Sequence, residues 1–268
     1  MNRLLWTLVL LCCLQFSQGQ TLSDVAAGRA RVIDLCYALN AKTAYWPIGD
    51  YHPFQFRTIA TIKKDGVFSG EYSTPEHLGT HLDAPNHFEA GKKSVDQLSL
   101  QELVAPFVII DISSEAARDP DAMLTVVQVR NWEQQNGRIP DSVVVLLRTG
   151  WARHWGTPRY ANMDAQKTLH FPGYSPEVAK FLVEERKIKG IGIDNLSVDR
   201  GISKKFEVHH IVNGAQRYHL ENVANLDKLP ARGGFLIVAP IKIEGGSGGQ
   251  ARIWAVLSPP APVRSRRE

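Results

Sequence analysis

The chain has 268 residues, a formal charge of +4, 44% hydrophobic residues and three cysteines. That is enough chain for one large domain with its own apolar core. The basic residues are spread out apart from Arg264-Ser265-Arg266-Arg267, which argues against a nucleic-acid footprint, and no internal repeat, heptad run or low-complexity linker is present.

In chain order, residues 1–19 read as a signal peptide. Arg3 supplies the basic start, Leu4 to Leu14 the apolar run and Ser17-Gln18-Gly19 a small-x-small cleavage signal. The apolar run is too short for a comfortable membrane span. Cleavage after Gly19 would leave a domain over residues 20–258, a disordered Pro-rich tail over 259–268, and a secreted product without membrane attachment. Cys12 and Cys13 would leave with the signal. Cys36 then has no partner for a disulfide and is expected as a buried, inert thiol.

Arg31 to Tyr37 reads as a first strand, followed by a turn-rich aromatic loop around Trp46. Residues 54–62 and 67–74 pattern as a hairpin turning at Lys64-Asp65-Gly66. Strand character returns at 107–112, and 125–136 has helical character closed by Gly137. Val143 to Leu147 is a continuous apolar run, typical of a strand buried on both faces. Ser175-Pro176-Glu177 opens a helix reaching about Lys187, with an N-cap, Pro at the first position and an acid in the first turn. Residues 190–194 form the next strand, and Asn195-Leu196-Ser197 is a glycosylation sequon pressed directly against it. A short helix ending near Gly214 precedes a strand through Glu221. Strands at 235–239 and 252–257 flank the glycine-rich 244–249, read as a wide turn bordering the pocket. Helix and strand alternate, so the fold class is α/β: a single domain with a mixed β-sheet core and flanking helices.

Chemistry concentrates in two stretches. Glu76 to Phe88 places His77, His81, Asp83 and His87 within eleven residues of a chain that has nine histidines in all. Imidazole nitrogen and carboxylate oxygen are ligands that Zn²⁺ and similar divalent ions accept. Gly79 and Pro85 argue against one continuous helix, so the stretch reads as a turn or short helical piece aiming several side chains into one pocket. Glu207 to Leu226 adds His209, His210, His219 and Glu221. His209 and His210 point about 100° apart on a helix, so only one of them can face an ion.

His-x-Gly-Thr-His-x-Asp-Ala-Pro-x-His, at 77–87, resembles the signature of the cyclase family of metal-dependent hydrolases, whose best-known members are bacterial-type kynurenine formamidases and isatin hydrolases. Phe171 to Glu177 and Gly192-Ile193-Asp194 are similar as well, so the resemblance runs from about Arg31 to Leu257. It implies a swivelling β/β/α-like fold, a homodimer and two Zn²⁺ per chain, with Mn²⁺ as the other candidate. The family pattern sets a His twelve positions before a Glu that opens Glu-Asn-Val; His209 and Glu221 fit it and His210 does not. By this resemblance His77, His81 and Asp83 hold one ion, and a bridging Asp83 with His209 and Glu221 holds a second. His210 and His219 are left as neighbours.

His87 is left for proton transfer to the leaving amine, with service as a further ligand as the alternative. Trp46, by looser resemblance, packs against the substrate's ring. The implied reaction is hydrolysis of a small aromatic amide by activated water. N-formylkynurenine, giving kynurenine and formate, is first choice; isatin, opened to isatinate with a single Mn²⁺, is the alternative. Cys36 is far from both motifs, which disfavours a thiol nucleophile. A secreted metal- or ligand-binding protein without turnover is the non-enzymatic alternative, and the intact His87 argues against it. Secretion departs from the intracellular tryptophan catabolism of the best-known relatives, which leaves the physiological substrate open.

Overall fold

The computed structural model describes residues 22–257, so the expected signal peptide, its cleavage point and the C-terminal tail lie outside the described residues. Eight strands form the main sheet: β1 (Arg31–Asp34), β2 (His81–Asp83), β3 (Val104–Asp111), β4 (Val144–Arg148), β5 (Gly190–Ile193), β6 (Tyr218–Glu221), β7 (Arg232–Pro240) and β8 (Gly248–Leu257). β3, β4, β5 and β6 run parallel to one another. β7 and β8 continue antiparallel beyond β3. β2 pairs antiparallel with β6 on one side and with the first residues of β8 on the other, so hydrogen bonding returns to its starting strand and seven strands close a ring. β1 occupies the remaining half of the β8 edge.

The parallel strands are joined by helices α1 (Val126–Asn136), α2 (Pro176–Arg186) and α3 (Glu207–Gly214). Alternation along each strand divides the apolar side chains into two layers. Ala105, Phe107, Ile109, Val144, Leu146, Tyr218 and Leu220 fill the inside of the ring. Val108, Ile110, Val145, Leu147, Ile191 and Ile193 face outwards onto Val129, Val178, Leu182 and Val212 of the helices. This is why the Val143–Leu147 run contains no polar residue: both of its faces are covered. Inside the ring, β5 offers glycines. A Cβ on Gly192 would meet Leu146 Cδ2 at 2.6 Å, so Leu146 and Leu220 occupy the space that a side chain would need.

The helices begin where their caps dictate. Thr125 accepts from Gln128 N–H as α1 starts, and Ser175 Oγ accepts from Val178 N–H before Pro176 opens α2. Each such cap stabilises by about 1 kcal/mol.

Several boundaries differ from the sequence reading. The first strand stops at Asp34, while β3 begins three residues early and β8 begins within the glycine-rich stretch. The hairpin pairs Gln55–Ala60 with Ser69–Ser73, but its connection is one helical turn, Ile62–Asp65, ended by Gly66 at φ 73°. The largest correction concerns the histidine-rich stretch, where His81–Asp83 is a strand rather than a turn or helical piece. Three residues are too few for periodicity to register; pairing on both edges makes the strand.

Candidate metal centre

The β2–β6 register builds the floor of the site. His219 lies opposite Asp83, Leu220 opposite Leu82, and Glu221 opposite His81. Period-two alternation sends Leu82 and Leu220 into the ring and turns His81, Asp83, His219 and Glu221 to the other face. All four are buried. Three more imidazoles close over them. His77 comes from the loop before β2, His87 from the single 3₁₀ turn Pro85–His87, and His209 from α3, which packs against that turn.

Asp83 is the centre of the cluster. Its Oδ1 lies 2.7 Å from His77 Nδ1 and 3.1 Å from His81 Nε2, and its Oδ2 lies 3.4 Å from His209 Nε2 and 3.6 Å from His219 Nδ1. Glu221 faces the same space, 3.5 Å from His81 Nε2 and 3.3 Å from His209 Nε2. Every residue expected as a ligand is therefore brought into one cluster. His210 points away and pairs with Glu89 at the surface, as helical geometry requires.

Three of the rings are held by their second nitrogen. His81 Nδ1 donates to Gly79 O at 2.8 Å, which commits Nε2 to the cluster. His77 Nε2 lies 2.9 Å from Ser247 Oγ, which itself donates to Glu76. In the neutral ring, Ser247 therefore accepts the Nε2 proton, and the Nδ1 lone pair faces Asp83. His209 Nδ1 lies 2.7 Å from Asp199 Oδ2. Val198 N–H donates to Glu221 Oε1.

The electrostatics follow from burial around two carboxylates. Burial alone would raise the Asp83 carboxyl, but His77, His81 and His87 overrule it and hold the group well below the usual range. Burial likewise opposes charge on His81; Asp83 and Glu221 outweigh it and raise its pKa to about 9. For His87 burial wins, helped by His77, His209 and His219 against Asp83, and the pKa falls to about 3. Its ring stacks on His77 at 3.7 Å between centroids.

These residues fit a divalent cation. His81 Nε2 and both nitrogens of His219 are buried without a hydrogen-bond partner, a costly state for polar atoms. They sit among oxygens and nitrogens that lie within one ion's reach, in the groups His77–Asp83–His87, His81–Asp83–Glu221 and Asp83–His209–His219. Imidazole and carboxylate donors of this kind suit Zn²⁺, Mn²⁺ or Fe²⁺.

A cavity of about 190 Å³ opens beside the cluster, lined by Trp46, Ile48, Tyr51, Phe88, Leu196, Ser197 and Phe206 along with the site residues. Trp46 lines it, edge-on to Phe206 with centroids 5.7 Å apart. Tyr51, Phe88 and Phe206 carried no signal in the sequence, and neither did Ser247 and Asp199. His219 carried one that was readable: on a strand ending at Glu221, a residue two positions earlier must share its face.

A buried imidazole–carboxylate cluster opening on an aromatic-lined cavity is the arrangement of a metal-dependent hydrolase. The Cyclase family model matches residues 33–200, and the chain belongs to that family. It is 38% identical to the isatin hydrolase of Roseibium aggregatum over 191 residues, 68% of this chain and 72% of the relative. It is 32% identical to the kynurenine formamidase of Bacillus cytotoxicus over 232 residues, 85% of this chain and 97% of the relative. Isatin hydrolase A from Labrenzia aggregata, solved with benzyl benzoate, superposes with a TM-score of 0.84 at 35% identity, covering 89% of this chain and 98% of that one. An isatin hydrolase bound to thioisatinate gives 0.83 at 32% identity, covering 88% and 96%.

Proposed function

We propose that the protein hydrolyses a compact, uncharged aryl amide, with isatin, opened to isatinate, as its preferred substrate. The observation that carries this is the cavity. Its volume, about 190 Å³, is below the ~300–1,000 Å³ of pockets for larger ligands. Away from the metal cluster its walls are chiefly aromatic and aliphatic, and no Lys or Arg is among the residues that line it. N-formylkynurenine carries an α-carboxylate and an ammonium, and burying either without a partner is costly. The sequence placed N-formylkynurenine first; the lining, without Lys or Arg, supports isatin as the preferred reading here. Similarity to kynurenine formamidases over 97% of one relative's length keeps the formamidase as the second reading.

His77, His81, Asp83, His209 and Glu221 are the residues that would hold the divalent metal, two Zn²⁺ or Mn²⁺ ions on this reading, with the Asp83 carboxylate central to the set. His219 completes the buried set. An ion held there supplies a water of lowered pKa and polarises the amide carbonyl. Trp46, Phe88 and Phe206 hold the aryl ring flat beside the cluster. His87, the cluster imidazole not assigned as a ligand, is placed to take the proton released as the water oxygen bonds to the carbonyl carbon. As the carbon–nitrogen bond breaks, His87 returns that proton to the departing nitrogen, leaving an aniline and a carboxylate.

The chain works as a homodimer on this reading. Family resemblance and the exposed apolar side chains Phe56, Ile59, Phe68 and Tyr72 of the hairpin support it. A secretory route rests on Arg3, Leu4 to Leu14 and Ser17-Gln18-Gly19. Steady-state kinetics on isatin and N-formylkynurenine with one metal-loaded preparation test the substrate. A kcat/KM at least tenfold higher for isatin is expected; the opposite preference would return the formamidase to first place.

A further inference from the structure

Phe171-Pro172-Gly173-Tyr174 lies far from both histidine-rich stretches in sequence, yet it clamps residues 195–201. Tyr174 N–H donates to Val198 O at 2.9 Å and Gly201 N–H to Phe171 O at 2.8 Å. The Asn195 amide donates to Pro172 O at 2.7 Å. The two backbones meet at Gly173, where a Cβ would lie 2.3 Å from Arg200 N and 2.6 Å from the carbonyl carbon of Asp199. Only glycine permits that approach.

The clamped segment aims two of the proposed ligands. Val198 N–H holds Glu221 Oε1. Asp199, 3% exposed, accepts Val208 N–H on Oδ1 and His209 N–H on Oδ2, each at 3.1 Å. The same Oδ2 lies 2.7 Å from His209 Nδ1. Asp199 thus caps α3, since Phe206 at the N-cap position has no side-chain acceptor. With Nδ1–H committed to this carboxylate, Nε2 is the nitrogen left facing Asp83 and Glu221, at 3.4 and 3.3 Å.

We propose that Asp199, seated by the Phe171–Tyr174 clamp, is a positioning residue that fixes His209 with Nε2 turned to Asp83 and Glu221 and thereby sets the affinity of the site for its divalent ion. The inference rests on the reading of the cluster as a metal centre. A carboxylate behind a ligating imidazole locks its tautomer and raises its basicity.

The test is Zn²⁺ competition against a chromophoric chelator for the wild-type chain, D199N and G173A. Thermal unfolding of the metal-free proteins and visible spectra of the Co²⁺-loaded proteins accompany it. Asn caps a helix about as well as Asp, and its one carbonyl oxygen can still accept Val208 N–H, so D199N keeps that cap bond while losing the charge and the acceptor beside His209 Nδ1. D199N is expected to bind Zn²⁺ ~10–100-fold more weakly, to unfold near the wild-type temperature without metal, and to shift the Co²⁺ absorption. G173A, which alters no ligand, is expected to weaken Zn²⁺ in the same direction. Wild-type affinity and an unshifted Co²⁺ spectrum in D199N would overturn the proposal. So would metal-free D199N that unfolds well below wild type, because general loosening of α3 would then account for the weaker binding. Failure of the wild-type chain itself to bind Zn²⁺, seen before any substitution, would overturn the metal-centre reading instead.

Discussion

His87 combines two demands that pull in opposite directions. On the proposed mechanism it stays close to the carboxylates to serve the reaction, while burial among other imidazoles lowers its pKa and disfavours charge. A folded-state pKa near 3 against an ordinary 6.5 means that its contribution to stability is intact above about pH 6.5 and is lost as pH falls from there toward 3. Between pH 7 and 5, metal-free wild type is therefore expected to lose about 1–2 kcal/mol more than metal-free H87F, at 1.36 kcal/mol per pKa unit. Urea unfolding at the two pH values reads this directly, and equal losses would contradict it. In the metal-loaded enzyme, H87A is expected to keep its ions and lose ~10²–10⁴ in kcat. Loss of an ion instead would make His87 a ligand. Trp46 belongs to a different part of the site, against Phe171 and Phe206. W46A is expected to raise KM for isatin severalfold with metal content unchanged, as elemental analysis alongside kinetics would show; an unchanged KM would assign the ring to packing alone.

The element that matters most is the shortest. β2 has three residues, but pairing with β6 and β8 on its two edges fixes which side chains face the site. Gly248, opposite Asp83, shows how tightly this is built: a Cβ there would meet Leu82 O at 2.5 Å and His77 Cε1 at 2.7 Å. G248A is expected to cost roughly 1–3 kcal/mol and to weaken metal binding, measured by denaturant unfolding and chelator competition; wild-type behaviour in both would contradict this packing. Here the sequence was legible in its chemistry and not in its geometry. His77, His81, Asp83, His209 and Glu221 stood out because clustered ligand types and a twelve-residue spacing are local features. That β2 is a strand was hidden, since flanking Gly79 and Pro85 signal a turn while the enforcing partners lie more than a hundred residues away. Ser247 was hidden for the same reason, 170 residues from the ring nitrogen it meets; Asp199 lies only ten residues before His209, but no spacing rule marks an acid there until the fold seats it against the ring.

At the scale of the molecule, the helix–strand alternation disclosed the α/β class, and the two-sided burial of β4 disclosed a covered sheet. Closure of the ring through β8 and β2 was not disclosed, because pairing residues 81–83 with 248–250 leaves no local trace. The sequon at Asn195 shows how global context decides a local motif. Asn195 is fully buried and its amide donates to Pro172 O. Chain secreted from eukaryotic cells is expected to show no mass shift on glycosidase treatment; a shift that disappears in N195Q would mean that glycosylation precedes folding.

The most direct measurement is metal content per chain by elemental analysis, made on the same preparation that is assayed for isatin opening before and after chelation. We expect divalent metal at one to two ions per chain, isatin hydrolysis that chelator abolishes, and recovery on adding Zn²⁺ or Mn²⁺. Full activity in chelated, metal-free protein would contradict the metal-centred mechanism. Bound metal with no turnover of isatin, N-formylkynurenine or any other aryl amide would contradict the hydrolase.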